Sequence, residues 1–246
     1  MGDGSQFCHE QGTVFLETRE LTKTYRFGGA EIYALRDVNF TAQQGDFVVI
    51  NGPSGSGKTT FLNLISAIDR PSSGDVSIEG ITTSSQTERA LAELRRTKIG
   101  LVFQSFNLVP VLSAAENVEY PLQIQRLPKP ERRARVAAIL EEVDLADLAR
   151  RRPSELSGGQ RQRIAIARSL VTRPKMVLAD EPTANLDSET GKQVMELMRN
   201  LNDEHCVVFI VVTHDPAVAA YARRQIRILD GRLSEGEPVE PVASAS

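Results

Sequence analysis

Between residues 52 and 59 the chain reads Gly52-Pro53-Ser54-Gly55-Ser56-Gly57-Lys58-Thr59, and Thr60 follows. Glycines at these positions let a backbone wrap around an anion and turn its N–H groups inward. The lysine can neutralise β- and γ-phosphates, and the threonine hydroxyl can ligate Mg²⁺. The spacing makes a phosphate loop only if a strand leads in and a helix leads out. Both are expected here. Residues 47–50 are a continuous apolar run, and Phe61, Leu62, Leu64, Ile65 and Ile68 follow at helical spacing. Helix N-terminal charge then adds to the anion site. Taken alone, the loop implies nucleotide binding and no more.

A second chemical group ends another apolar run. Residues 176–179 lead into Asp180 and Glu181, and Pro182 stops the strand. A buried strand delivers Asp180 to the carboxyl edge of the sheet, where ligands sit. Asp180 is therefore placed to hold Mg²⁺, directly or through water. Glu181, one residue on, is the candidate base that orients an attacking water. A third group, Leu156-Ser157-Gly158-Gly159-Gln160, precedes a helix expected over 161–171. Its open N–H groups form a second anion-binding element in a chain that already has a phosphate loop.

The elements that must carry these groups fall into three kinds. A β-rich stretch comes first, with alternating patterns at 14–21 and 32–40 and a short strand at 75–79. The runs 47–50, 99–103, 176–179, 207–212 and 226–229 are nearly all apolar, as suits parallel strands buried on both faces. Helical spacing over 131–150 (Val136, Ile139, Leu140, Val143, then Leu145 and Leu148) lies between two of those strands. It marks a helical insertion, about 105–160, in an α/β core. Residues 1–12 and 234–246 are polar and read as tails around a domain at 13–233.

Bulk composition narrows the partners. There are 29 Lys+Arg against 32 Asp+Glu, a net charge of -3, so nucleic acid is not an expected partner. Cys8 and Cys206 each adjoin a histidine, but metal-ligand spacing is missing and a reduced protein is expected. The first twelve residues lack the pattern of a signal peptide, and Gln6 stands where myristoylation wants Ser or Thr. The longest apolar run, 206–212, is far short of a membrane span, so a membrane role is expected to be indirect.

The Leu156–Gln160 turn is the signature of the ATP-binding-cassette (ABC) family, and about residues 13–233 resemble it. That resemblance implies a P-loop NTPase core with a mostly parallel sheet, an N-terminal antiparallel β subdomain and an inserted α-helical subdomain. It implies an ATPase using ATP and Mg²⁺. Two copies would pack head to tail, the Ser157, Gly158, Gly159 and Gln160 of one capping the ATP of the other. By the same resemblance, Tyr25 stacks on adenine and Gln104 is the lid glutamine that reaches Mg²⁺ and faces the membrane partner. The loop Ala184-Asn185-Leu186-Asp187 crosses the dimer interface, and His214 contacts the γ-phosphate. Lys58, Gln104, Glu181 and His214 form the implied catalytic set, and Thr59, Gln104 and Asp180 the implied metal set.

Within the family the chain looks most like the lipoprotein-release and macrolide-export (LolD/MacB) type and its cell-division relative. The stretches at 33–39, 103–110, 116–122 and 179–188 carry this likeness. Ala184, where this branch commonly has Gly, and Arg161, where Gln is frequent, depart from it. The branch implies separate few-span permease subunits with a large extracytoplasmic domain. It also implies a place at the cytoplasmic face of the inner membrane. The expected function is export or extraction of a lipoprotein, lipid, peptide or drug-like substrate. Two alternatives stand beside it: force transmission to envelope enzymes without cargo, and a soluble ABC ATPase acting on DNA or ribosomes. The second usually has coiled-coil insertions or two cassettes in one chain, and this chain has neither.

Overall fold

A computed structural model describes residues 14–235. Two sheets and a helical insertion make up the fold. The N-terminal sheet is antiparallel, in the order β2-β1-β4-β5. It is built on a long hairpin, β1 (Val14–Phe27) and β2 (Ala30–Gln43), with β4 (Ser73–Ile78) and β5 (Ile81–Thr82) beside it. The second sheet has the order β10-β9-β3-β8-β7-β6. Its strands are β3 (Phe47–Asn51), β6 (Ile99–Val102), β7 (Met176–Asp180), β8 (Val208–Thr213), β9 (Arg224–Leu229) and β10 (Arg232–Glu235). Pairing is parallel from β9 through β6 and antiparallel only at β10.

The apolar runs expected as buried parallel strands are just that. Residues alternate strictly between two cores. Phe47, Val49, Val177, Ala179, Phe209 and Val211 face the helical side. Val48, Ile50, Met176, Leu178, Val208, Ile210 and Val212 face the antiparallel sheet. A strand buried on both faces has no position left for a polar residue, which explains its unbroken apolar pattern. Phe47 and Phe209 stack at 5.6 Å between ring centroids, both fully buried.

Seven helices surround the sheets among the described residues. They are α1 (Lys58–Ile65), α2 (Glu88–Lys98), α3 (Ala114–Ile124), α4 (Lys129–Glu142), α5 (Gly158–Leu170), α6 (Ser188–His205) and α7 (Pro216–Ala219). The helical insertion comprises α3, α4 and α5, all between β6 and β7. Here the structure corrects the sequence reading, since α4 stops at Glu142 and does not run on to residue 150. Asp144 turns left-handed (φ 59), its N–H bonds Glu141 O, and the Leu145 N–H reaches back to Leu140 O at 2.8 Å. That closure satisfies the last carbonyls and swings Leu145 into the core. The apolar spacing continues through a bend, so periodicity alone overran the helix end.

β10 is ordered through Glu235, past the expected domain end at 233, because its antiparallel pairing with β9 includes Ser234 and Glu235. Cys206 ends α6 in a left-handed turn (φ 51), and Cys8 lies outside the described residues. The expected tail at 1–12 and most of that at 234–246 also lie outside them. No helix among the described residues is long and apolar enough to cross a membrane.

Replacing Phe209 by Ala removes one half of the stacked pair from a site with no solvent access. Its expected cost is about 3–5 kcal/mol, read as a lowered midpoint in urea unfolding. A loss well under about 1 kcal/mol would mean that the two faces are not rigidly packed.

Candidate functional site

The phosphate loop lies where β3 gives way to α1. Gly57 caps α1 in a left-handed conformation (φ 108), and a Cβ there would sit 2.5 Å from Ala34 O. A Cβ on Gly52 would meet Ile228 O at 2.3 Å. These two glycines are thus set by close backbone approach as much as by the turn. The Gly52 N–H bonds Thr213 O, and the Gly231 N–H bonds Ser56 O, which fixes the loop to β8 and to the β9–β10 turn.

The loop opens onto a cavity of about 600 Å³, within the usual range for a small-molecule site. Pro53, Ser54, Gly55, Gly57, Lys58, Thr59 and Thr60 line one side of it. Gln104, Asp180, Glu181 and His214 line the other, brought from the ends of β6, β7 and β8. Residues 46 to 156 positions away from Lys58 in sequence therefore converge only because parallel strands end together. Ala34 of β2 completes the wall. The sequence reading missed it, because an alanine on a strand carries no chemical signal.

Lys58 is buried, and its ammonium donates to Gly52 O (2.6 Å) and Pro53 O (2.9 Å). Two of its three donors hold the loop's own curve, which leaves the third for an anion. The Thr59 hydroxyl donates to Asp180 Oδ2 at 3.4 Å. A hydroxyl and a carboxylate facing each other across the cavity are all-oxygen donors, the chemistry suited to a hard divalent cation such as Mg²⁺.

Glu181 takes a left-handed conformation (φ 47) just past the end of β7, and its N–H bonds Val212 O. A non-glycine residue there is strained by the order of 1–2 kcal/mol. The turn folds its carboxylate back over the sheet edge. Oε2 accepts from the Thr213 hydroxyl (2.9 Å) and the His214 N–H (3.3 Å), and Oε1 lies 2.7 Å from His214 Nδ1. The carboxylate expected as the base and the histidine expected at the γ-phosphate are thus one hydrogen-bonded unit.

Not every expected residue reaches this cavity. Gly52 and Ser56 lie beneath the loop, where Gly52 packs on Ile228 and the Ser56 hydroxyl is buried. Tyr25 does not line the cavity; its hydroxyl donates to Asp69 Oδ2 (3.3 Å) and Lys23 sits over its ring. Ser157 to Gln160 are also elsewhere. Ser157 caps α5, its hydroxyl accepting from the Gln160 N–H while Gln160 Oε1 accepts from the Ser157 N–H. The Ser157 N–H is thus satisfied within its own helix start, unlike those of Gly158 and Gly159. Those two remain at the open helix start. A Cβ on Gly159 would meet Thr190 Cγ2 at 2.4 Å, so this turn packs tightly on α6. Asp187 caps α6 by accepting from the Thr190 N–H, and the backbone and hydroxyl of Thr190 hold its carboxyl below the ordinary value.

A carboxylate poised over a phosphate cradle, with oxygen donors for a cation between them, is the arrangement of a nucleotide-hydrolysing enzyme. The comparisons with known proteins agree. A family model described as ABC transporter matches residues 35–184. The chain belongs to the ABC transporter family, as an ATP-binding subunit that is an ATPase. It is 46% identical over 226 residues to an uncharacterized ABC transporter ATP-binding protein, MJ0796, of Methanocaldococcus jannaschii, covering 90% of this chain and 96% of that one. It is 44% identical to the lipoprotein-releasing system ATP-binding protein LolD of Bordetella pertussis, over 89% of this chain and 94% of that one. A dimeric post-hydrolysis structure of MJ0796 bound to ADP and Pi matches with a TM-score of 0.81 at 44% identity, covering 91% of this chain and 100% of that one.

The charge balance of the site makes a prediction. Burial first, and then the neighbouring Glu181 charge, raise the Asp180 carboxyl above its ordinary value, while the Thr59 hydrogen bond and Lys58 oppose this. The folded protein then holds this proton more readily than the unfolded chain, so the group lowers stability as pH rises through the carboxylate range. Asp180→Asn should therefore melt higher than the parent at neutral pH without nucleotide. The gain should shrink on acidification, as the parent's carboxyl becomes neutral. A variant that melts lower than the parent at neutral pH would contradict a burial-dominated site.

Proposed function

We propose that two copies of this chain sandwich two Mg·ATP head to tail and drive separate membrane subunits. The observation that carries this reading is the split of the site. The phosphate cavity and the Ser157–Gln160 turn belong to one chain, yet the turn takes no part in lining that chain's cavity. A second anion-binding element that cannot serve its own cavity suits a neighbour's, and a two-fold pair would give two equivalent sites. The dimeric state of the solved MJ0796 cassette supports the same arrangement.

In this reading Lys58 and the amides of the phosphate loop hold the β- and γ-phosphates, and Tyr25 supplies the ring for adenine. Thr59, Asp180 and Gln104 would hold Mg²⁺, which neutralises phosphate charge when bound. Glu181 accepts from or orients the attacking water, and His214 fixes the Glu181 carboxylate through Oε1. The Ser157 hydroxyl, whose oxygen accepts in the cap, still has its proton to donate to a partner's γ-phosphate. Asp187, at the rim of the same surface, faces the partner copy. ATP favours the closed pair because these contacts exist only there. Hydrolysis removes the bridging group and the pair reopens.

The likeness to LolD, and to the macrolide export protein MacB of Syntrophobacter fumaroxidans (45% identical, 88% of this chain but 30% of that one), supports the export or extraction branch. The membrane subunits are then few-span permeases with a large extracytoplasmic part, and the chain works at the cytoplasmic face of the membrane.

Glu181→Gln keeps the cavity's shape and removes the base. ATP turnover should fall by at least about 100-fold, while Mg·ATP produces a stable dimer in light scattering. Normal turnover would displace Glu181 from its role. The same variant, used to capture partners from native membranes with Mg·ATP, should recover a few-span protein with a large extracytoplasmic domain. A many-span permease would overturn the branch. A partner bound to an envelope hydrolase would favour force transmission without cargo.

A further inference from the structure

We propose that Asn185 is a positioning residue for Gln104, carrying the placement of the 184–187 loop to the lid segment that lines the nucleotide cavity. This rests on the reading above, in which Gln104 meets Mg·ATP and residues 184–187 lie against the partner copy. The contact itself is direct. The Asn185 side-chain amide donates to Gln104 O at 2.9 Å, across 81 residues of sequence.

The loop that carries Asn185 is wedged. On one side is the start of α5, where a Cβ on Gly158 would lie 3.1 Å from Leu186 Cδ2 and 3.7 Å from Asn185 O. On the other side is Gln104. A displacement of residues 184–187 relative to α5 must therefore be felt at the Gln104 backbone. Gln104 lines the cavity opposite Lys58 and Thr59, so its side chain inherits that shift.

The far end of the lid segment is anchored separately. Arg168 of α5 donates to Asn107 O (2.5 Å) and to Phe106 O (2.7 Å), and the Arg161 guanidinium lies over the Phe106 ring at 5.3 Å. Phe106 and Asn107 are both left-handed (φ 60 and 49). The Arg168 bonds hold a tightly turned backbone in place at one end. At the other end a single neutral hydrogen bond, exposed to water, sets Gln104. Such a bond contributes little to stability and is easily exchanged for water. That suits a contact that must make and break as the interface loop moves.

Asn185→Asp tests this, because it keeps the shape, loses the donor and sets a carboxylate against a carbonyl. Asn185→Ala, which only removes the donor, should act in the same direction. In the nucleotide-free full chain, amide hydrogen exchange over residues 104–107 should speed several-fold in both variants. ATPase turnover should fall about tenfold, the loss of one hydrogen bond's worth of placement. The Mg²⁺ concentration for half-maximal rate should rise, and the KM for ATP should change less than about twofold. Added to Gln104→Ala, neither substitution should lower the rate further. If Gln104→Ala shifts the Mg²⁺ dependence while both Asn185 variants leave it and the exchange unchanged, the Asn185 proposal is overturned alone. If Gln104→Ala itself leaves the Mg²⁺ dependence unchanged, the assignment of Gln104 fails first, and the relay loses its endpoint.

Discussion

The phosphate loop is held where two sheets meet, at a spacing too close for any side chain. Gly52 approaches the β9 backbone at Ile228, Gly57 approaches β2 at Ala34, and Gly231 of the β9–β10 turn approaches the same Ala34 carbonyl. Three glycines thus lock the antiparallel sheet, the parallel sheet and the loop into one unit. Hydrogen bonds from Gly231 to Ser56 and from Arg36 to Gly231 complete it. The phosphate-loop wall of the cavity is referenced to this junction. The two cores on either face of the parallel sheet keep the strands in register, so the ends of β6, β7 and β8 present their residues at a fixed height above the loop.

The chemistry is concentrated at the point of least comfort. Glu181 is left-handed, Asp180 is held above its ordinary proton affinity by burial, and Lys58 is buried among carbonyls. Each is costly in isolation. They are tolerable together because their charges are opposite and their hydrogen bonds nearly complete. The rigid strands impose the strain, and the polar network around Thr213 and His214 directs it, so the Glu181 carboxylate faces the cavity and not bulk water.

Much of this was legible in the sequence, because it is local. The phosphate loop, the Asp180–Glu181 strand end and the Ser157–Gln160 turn each declare themselves within ten residues. The buried strands do so through unbroken apolar runs. What was not legible depends on tertiary closure. Ala34 lines the cavity only because β2 is drawn against Gly57. The end of α4 is decided by the left-handed turn at Asp144, which no periodicity reveals. In α3 the capping box of Ser113 and Glu116 was available as a signal, but Pro121 inside the helix obscured it. Asn117, buried there and bonded to Val109, Leu112 and Ser113, looks in sequence like any polar residue. Tyr25 shows the opposite limit. Its position follows the family pattern, while Asp69 and Lys23 decide where its hydroxyl and ring lie in this structure.

The helix caps explain how the remaining surface can be both ordered and responsive. Ser157 and Asp187 each spend one oxygen on satisfying an N–H in the first turn of their helices, α5 and α6. The cap fixes the direction of the helix start and leaves the outer N–H groups of Gly158 and Gly159 unspent. The signature turn is therefore held in shape by its own cap, as the anion receptor proposed above requires. Between those helices Leu186 packs against the core and Arg168 holds Phe106 O and Asn107 O, while Asn185 reaches Gln104 O through one exposed hydrogen bond. In the proposed dimer, stiff receptors joined by sparsely bonded links would let a phosphate at the interface become a displacement elsewhere.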